Sequence, residues 1–198
     1  AGKELGLALV SNFSLMTEEK AGFLAANEVS LCTSLDGPED LHNKNRVYQD
    51  GSSYKQTVKW LNYFRAKSDK QKGANRIFRP SALLTVSKYS LGRHREIIDE
   101  YVRLSLDHIF VRPLAPIGYA RNLWDRIGYS AEEFVKFYRD SLTYIIELNA
   151  KGVSLKEKMA VILLKKIVGQ DDHRYVDLRC PCGAGLGQLA YNHNGDIY

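Results

Sequence analysis

Apolar and polar positions along the chain follow two rhythms. LGLALVS (5–11), VSLCTSL (29–35), SALLTVS (81–87) and HIFVRPL (108–114) are apolar runs of strand length, and Pro113 closes the last of them. Between the runs the spacing is helical. Thr17, followed by Glu18 and Glu19, predicts a capped helix to about Asn27. Tyr54, Val58, Leu61 and Phe64 keep helical spacing over 54–67, as do Ile97, Ile98, Tyr101 and Leu104 over 93–105. Ser130 with Glu133 forms a capping-box pattern before a helix to about Lys151, with Gly152 as its stop. Ser154 with Glu157 repeats that pattern before a helix ending near Gly169. The stretch from Asp36 to Ser53, with Gly37, Pro38 and Gly51, reads as a polar loop.

Strands separated by helices imply an α/β fold of parallel βα units with right-handed crossovers. Four strands are too few for a closed eight-stranded barrel. They suit an arc of a partial barrel or a small open sheet. Such folds bind ligands at the carboxyl ends of their strands. The residues predicted to converge there are Ser11 and Asn12, Ser34 with Asp36 and Gly37, Thr85 and Ser87, and Arg112. Each has a plainer explanation. Asn12 and Asp36-Gly37 are common turn residues, Ser34 suits local backbone bonding, and Arg112 suits a structural ion pair.

Composition narrows the picture. At 198 residues, with 44% hydrophobic and 26% charged positions, the chain is an ordinary globular sequence with one sizeable core. No apolar run approaches the ~20 residues of a membrane helix, and the start lacks a signal-peptide pattern, so a cytoplasmic location is expected. The net charge of +5 does not predict a nucleic-acid partner, because basic and acidic residues are mixed. The densest basic group is Arg65, Lys67, Lys70, Lys72 and Arg76, which reads as a solvated connection. Three cysteines argue against a disulfide framework. Cys32, inside a strand-like run, is expected to be a small buried hydrophobe. Cys180 and Cys182 flank Pro181, too close for the usual zinc spacing, and His173 and His193 do not make a convincing ligand set with them. No G-x-S-x-G elbow, H-E-x-x-H helix or Walker loop occurs, and His42 and His94 are isolated in the sequence.

Taken in order, several segments resemble one known series. LVSNFSLM is similar to the "TN-x-x-L" strand end of radical S-adenosylmethionine (SAM) enzymes. SLCTSLDGPEDLHNKNR resembles the "S-x-DGP…H…R" stretch of their peptide-maturing branch. IFVRPLAPIGYA and DLRCPCGAGLGQLAYNHNGDIY add two more segments. In the last, Cys182 leads a glycine-rich turn and Gly195 follows thirteen residues later, as at the opening of a SPASM auxiliary-cluster domain. The nearest branch by these motifs is the maturase of the His-Xaa-Ser repeat peptide system.

The resemblance implies a partial TIM barrel over 1–170 and the start of a SPASM-type domain over 171–198. It implies S-adenosylmethionine and 4Fe–4S clusters as cofactors, and a ribosomally made peptide or protein as substrate, from which a radical removes a hydrogen atom. The positions matching cofactor-facing residues are Asn12, Ser34 and Asp36, then Thr85 and Arg112. Cys182 would ligate an auxiliary cluster, and Cys180 matches no ligand position. The sequence also departs from the pattern. The cluster-binding C-x-x-x-C-x-x-C is absent, and the second auxiliary cysteine would fall two residues past Tyr198. The expectation is therefore a piece of a maturase that cleaves no S-adenosylmethionine by itself, with the strand at 5–11 left as an aggregation-prone open edge. The alternatives are a non-catalytic degenerate barrel that binds a peptide or partner, and, more weakly, a hydrolase or transferase using Asp36 and His42.

Overall fold

The computed structural model describes residues 6–49, 51–70, 79–169, 189–192 and 194–197. The chain divides into two units, Ala1–Lys158 and Met159–Tyr198. In the first, β1 (Ala8–Val10), α1 (Glu18–Ala26), β2 (Ser30–Ser34), α2 (Glu39–Asn45), α3 (Ser53–Lys70), β3 (Ser81–Val86) and α4 (His94–Arg103) follow one another. Then come β4 (His108–Ile109), β5 (Val111–Pro113), the short helices α5 (Tyr119–Asn122) and α6 (Trp124–Ile127), α7 (Ala131–Ala150) and β6 (Lys156–Glu157). Strands β1, β2, β3 and β5 form a wholly parallel sheet in that order, as the strand–helix alternation predicts. Strand β1 lies at one edge, as expected of the run at 5–11. No helix among the described residues is long and apolar enough to cross a membrane.

Period-2 alternation gives the sheet two unlike faces. Leu31, Thr33, Ala82, Leu84, Val86 and Val111 point into the core, against Trp60, Leu61 and Phe64 of α3 and Ile97, Ile98 and Tyr101 of α4. Ser30, Cys32, Ser34, Ser81, Leu83 and Thr85 sit on the other, half-covered face, and Val10 and Arg112 are exposed there. Cys32 is thus half-buried rather than the core hydrophobe expected.

Helices form where caps and periodicity place them. The Thr17 hydroxyl accepts from the Lys20 N–H, and Ser130 and Glu133 make both halves of their capping box. Four expectations need correction. The run at 108–114 breaks at Phe110, because Ile109 pairs with β6 while Val111 pairs with β3. The stretch after Asp36 holds a helix, α2, anchored by buried Leu41 and His42. Helix α3 runs on to Lys70, so Arg65 and Lys67 are helical, and Arg65 donates to the Leu104 carbonyl at 2.8 Å. Ser154 and Glu157 make no capping box. Glu157, buried in β6, accepts the Val111 N–H at 3.1 Å and the Tyr138 hydroxyl at 2.7 Å.

The second unit contains most of α8 (Lys158–Val168) and a tight turn. Gly195 takes φ +89° there, and Tyr191 and Ile197 form an antiparallel bridge across the turn. Cys180, Cys182, Lys72 and Arg76 lie outside the described residues.

Candidate functional site at the carboxyl ends of the strands

The carboxyl ends of β1 and β2 are shaped by local strain and by close approach. Asn12 forms a tight turn, its Oδ1 accepting the Ser14 N–H at 3.1 Å and the Ser14 hydroxyl at 2.8 Å. Phe13 follows in the left-handed region at φ 59°, fully buried, a conformation that bulky residues rarely adopt outside over-determined sites. After β2, Gly37 takes φ +128°, and a Cβ there would lie 2.9 Å from the Ile97 side chain. Only glycine fits, and this fixes the turn that aims Asp36 inward.

Asp36 is 1% exposed, and its carboxylate is fully engaged. Arg46 donates Nε to Oδ2 at 2.7 Å and Nη2 to Oδ1 at 3.2 Å, and the Thr85 N–H donates to Oδ1 at 3.1 Å. One carboxylate therefore ties the end of β2 to the end of β3 and to the residue after α2. The Asp36 N–H in turn donates to His42 Nδ1 at 3.2 Å. With Nδ1 accepting, the neutral imidazole carries its proton on Nε2. That atom is buried and has no hydrogen-bond partner among the described residues. Burial pushes the His42 pKa down to about 4, against the raising effect of Asp36, so the ring is neutral at physiological pH.

A hollow of about 320 Å³ opens at this point, lined by Asn12, Ser34, His42, Asn45, Arg46 and Tyr48 among others, with Thr57 on its α3 side. Its lining residues are rich in donors and include no carboxylate. Two of the donors are buried without a partner, His42 Nε2 and Asn45 Nδ2. Buried orphans of this kind are costly, so a ligand or water that satisfies them is favoured. Asn45 also lines a second hollow of about 600 Å³, with Asp36, Thr85 and Ser87 from the strand ends and Tyr89, Leu123 and Arg126 beyond them.

The predicted positions thus separate. Asn12 and Ser34 meet at the first hollow, and Asp36 and Thr85 meet through a hydrogen bond and share the second. Arg112 is in register with Thr85 but lies exposed on the open face, its guanidinium 5.5 Å from the Phe110 ring centre, and lines neither hollow. Asp36 and His42 are adjacent, yet the Asp36 carboxylate meets Arg46 and Thr85 rather than the imidazole, so they form no acid–base pair. Asn45 and Thr57 carry no sequence signal. His42 had one, as the histidine of the "S-x-DGP…H…R" resemblance.

No protein-family model matches this chain, and no curated protein matches it. Solved structures do. Native anSMEcpe with bound AdoMet and Kp18Cys peptide superposes with a TM-score of 0.68 at 18% identity, covering 81% of this chain. Native anSMEcpe with bound AdoMet and Cp18Cys peptide gives 0.66 at 19% identity over the same share. The fold is that of anSMEcpe. The present chain spans 42% of the length of either anSMEcpe chain.

The donor set also shows which cofactors suit these residues. S-adenosylmethionine (AdoMet) presents a carboxylate, ribose hydroxyls and an adenine edge, and hydroxyls, an amide and an imidazole N–H suit all three. A 4Fe–4S cluster needs thiolates. The chain has three cysteines, none in the triplet spacing, and no group of three His, Cys, Asp or Glu among the described residues is placed to hold a metal ion. The lining of the hollow suits the carboxylate, ribose and adenine of the first cofactor, and the described residues offer no thiolate set for the second.

Proposed function

We propose that this chain is the middle and later part of a radical SAM peptide maturase, an arc of a partial TIM barrel followed by the start of a SPASM-type domain. The observation that carries the reading is the hollow above β1 and β2, where Asn12 and Ser34 stand beside two buried donors without partners, on a fold shared with anSMEcpe. Asn12, Ser34 and the His42 N–H would hold polar groups of AdoMet. Asp36 would act by holding the two strand ends together. Of the two weaker cofactor-binding positions, Thr85 would reach the cofactor only from the second hollow, and Arg112 lines neither hollow. Cleaving AdoMet requires a reducing iron–sulfur cluster, and the cysteines for one are not in this sequence. The chain by itself is therefore expected to bind AdoMet without consuming it.

Titration calorimetry of AdoMet into the chain tests this. One binding site is expected, weakened about tenfold or more by Ser34→Leu, which fills the hollow. An absence of AdoMet binding would favour the second reading, a degenerate barrel that recognises a peptide or partner. The full engagement of the Asp36 carboxylate by protein groups is the feature that favours that alternative.

A further inference from the structure

The second hollow has a chemistry of its own. Asp36 is the one acid among the described residues that line it, and its carboxylate is already taken by Arg46 and Thr85. Facing it are three cations from two elements, Lys44 of α2, Arg46 just beyond α2, and Arg126 of α6. Lys44 is held in place, its Nζ 3.8 Å from the centre of the Tyr89 ring. Asn45 offers its partnerless amide on the same wall, its Oδ1 accepting the Ser87 hydroxyl at 2.9 Å. Beside Arg126, Leu123 and Ile127 add apolar lining. A basic rim with apolar lining matches a short peptide segment with a carboxylate side chain next to an aliphatic one.

We infer that this cleft binds an acidic–aliphatic segment of the peptide substrate, with Lys44 and Arg126 selecting the carboxylate. The inference rests on the peptide-maturase reading only for the class of occupant. The selectivity comes from the charges lining the cleft.

The test is fluorescence anisotropy on the full chain with two fluorescein-labelled peptides, one alternating leucine and glutamate, the other leucine and glutamine. The glutamate peptide should bind about tenfold or more tightly. Lys44→Glu and Arg126→Glu should each erase that preference. Lys151→Glu, the same charge change at the exposed C-terminal cap of α7, should keep it. Thermal melts by circular dichroism check that each variant is folded. Equal affinity for the two peptides overturns the inference. So does a preference that survives Lys44→Glu and Arg126→Glu, or one that Lys151→Glu reduces as much, since the attraction is then only the net charge of the chain. AdoMet binding measured on the same samples keeps the two ideas apart. Equal affinity of the unmodified chain for the two peptides, with its AdoMet binding intact, sinks the cleft and leaves the maturase reading standing.

Discussion

The two ends of the parallel sheet solve opposite problems. At the amino end of β3, which Ser81 starts, beside His108 at the start of the separate strand β4, a hollow of about 190 Å³ is rimmed by closed pairs. Arg79 donates to Asp107 at 2.9 Å and to Asp69 at 3.2 Å, and Arg65 caps the Leu104 carbonyl. At the carboxyl ends, one saturated carboxylate, Asp36, sits beside donors left open, His42 Nε2 and Asn45 Nδ2. The first arrangement is what stability alone produces. The second keeps buried polar groups unsatisfied within a scaffold rigid enough to hold them there, which is how parallel α/β folds prepare ligand sites.

Breaking the Asp36 knot should have the largest effect. Asp36→Ala strands the Thr85 N–H and a partly covered guanidinium, and is expected to cost about 3 kcal/mol by urea denaturation. Asp36→Asn, which keeps one acceptor for Thr85, should recover part of that loss. A mutational cost no larger than that of a surface ion pair would remove the contrast between the two ends.

The next effect is one of pH. The folded-state His42 pKa, near 4, lies below the unfolded value near 6.5, so the unfolded chain takes up the proton first as pH falls. The contribution of His42 is fully present above about pH 6.5 and is lost as pH falls from there to about 4, up to about 3 kcal/mol. Burial lowers the pKa of His94 and His108 in the same direction, so the wild-type slope contains all three. His42→Gln should flatten the slope between pH 6.5 and 4 more than His108→Gln does. An unchanged slope in His42→Gln would mean that the ring is not held neutral by burial.

The smallest effect belongs to the base. Arg79→Ala removes two ion pairs whose partners are about half exposed, and should cost at most about 1 kcal/mol, less at high salt. A cost matching that of Asp36→Ala would show that the amino ends are as tightly constrained as the mouth.

These contrasts also explain what the sequence could reveal. The strand–helix alternation, the parallel sheet and the cap at Ser130 were legible because each depends on residues a few positions apart. Glu157 shows the limit. It stands three residues after Ser154, in the same pattern as Glu133 after Ser130, yet its carboxylate turns to Val111 and Tyr138, partners 46 and 19 residues away. Helix α2 was missed because EDLHNKN has no apolar rhythm; it buries only Leu41 and His42, and Asn43 ties it to the start of α3 through Ser53 and Tyr54. At the site, Asn12 and Ser34 were found because they end strands. Asn45 and Thr57 were not, because only the packing of α2 and α3 brings them to the hollow. Arg112 satisfied the strand-end rule and shares its face with Thr85, yet it lies exposed on β5, one strand further along, and outside both hollows.

The most direct test of the central claim compares the two ends in one experiment. Histidine labelled with nitrogen-15 reports His42 at the mouth and His108 at the base by their ring resonances. On titration with AdoMet, the account predicts that the His42 Nε2–H resonance moves as its proton gains an acceptor, while His108 stays still. A shift at His108 without one at His42, or no shift at either under saturating AdoMet, would contradict it.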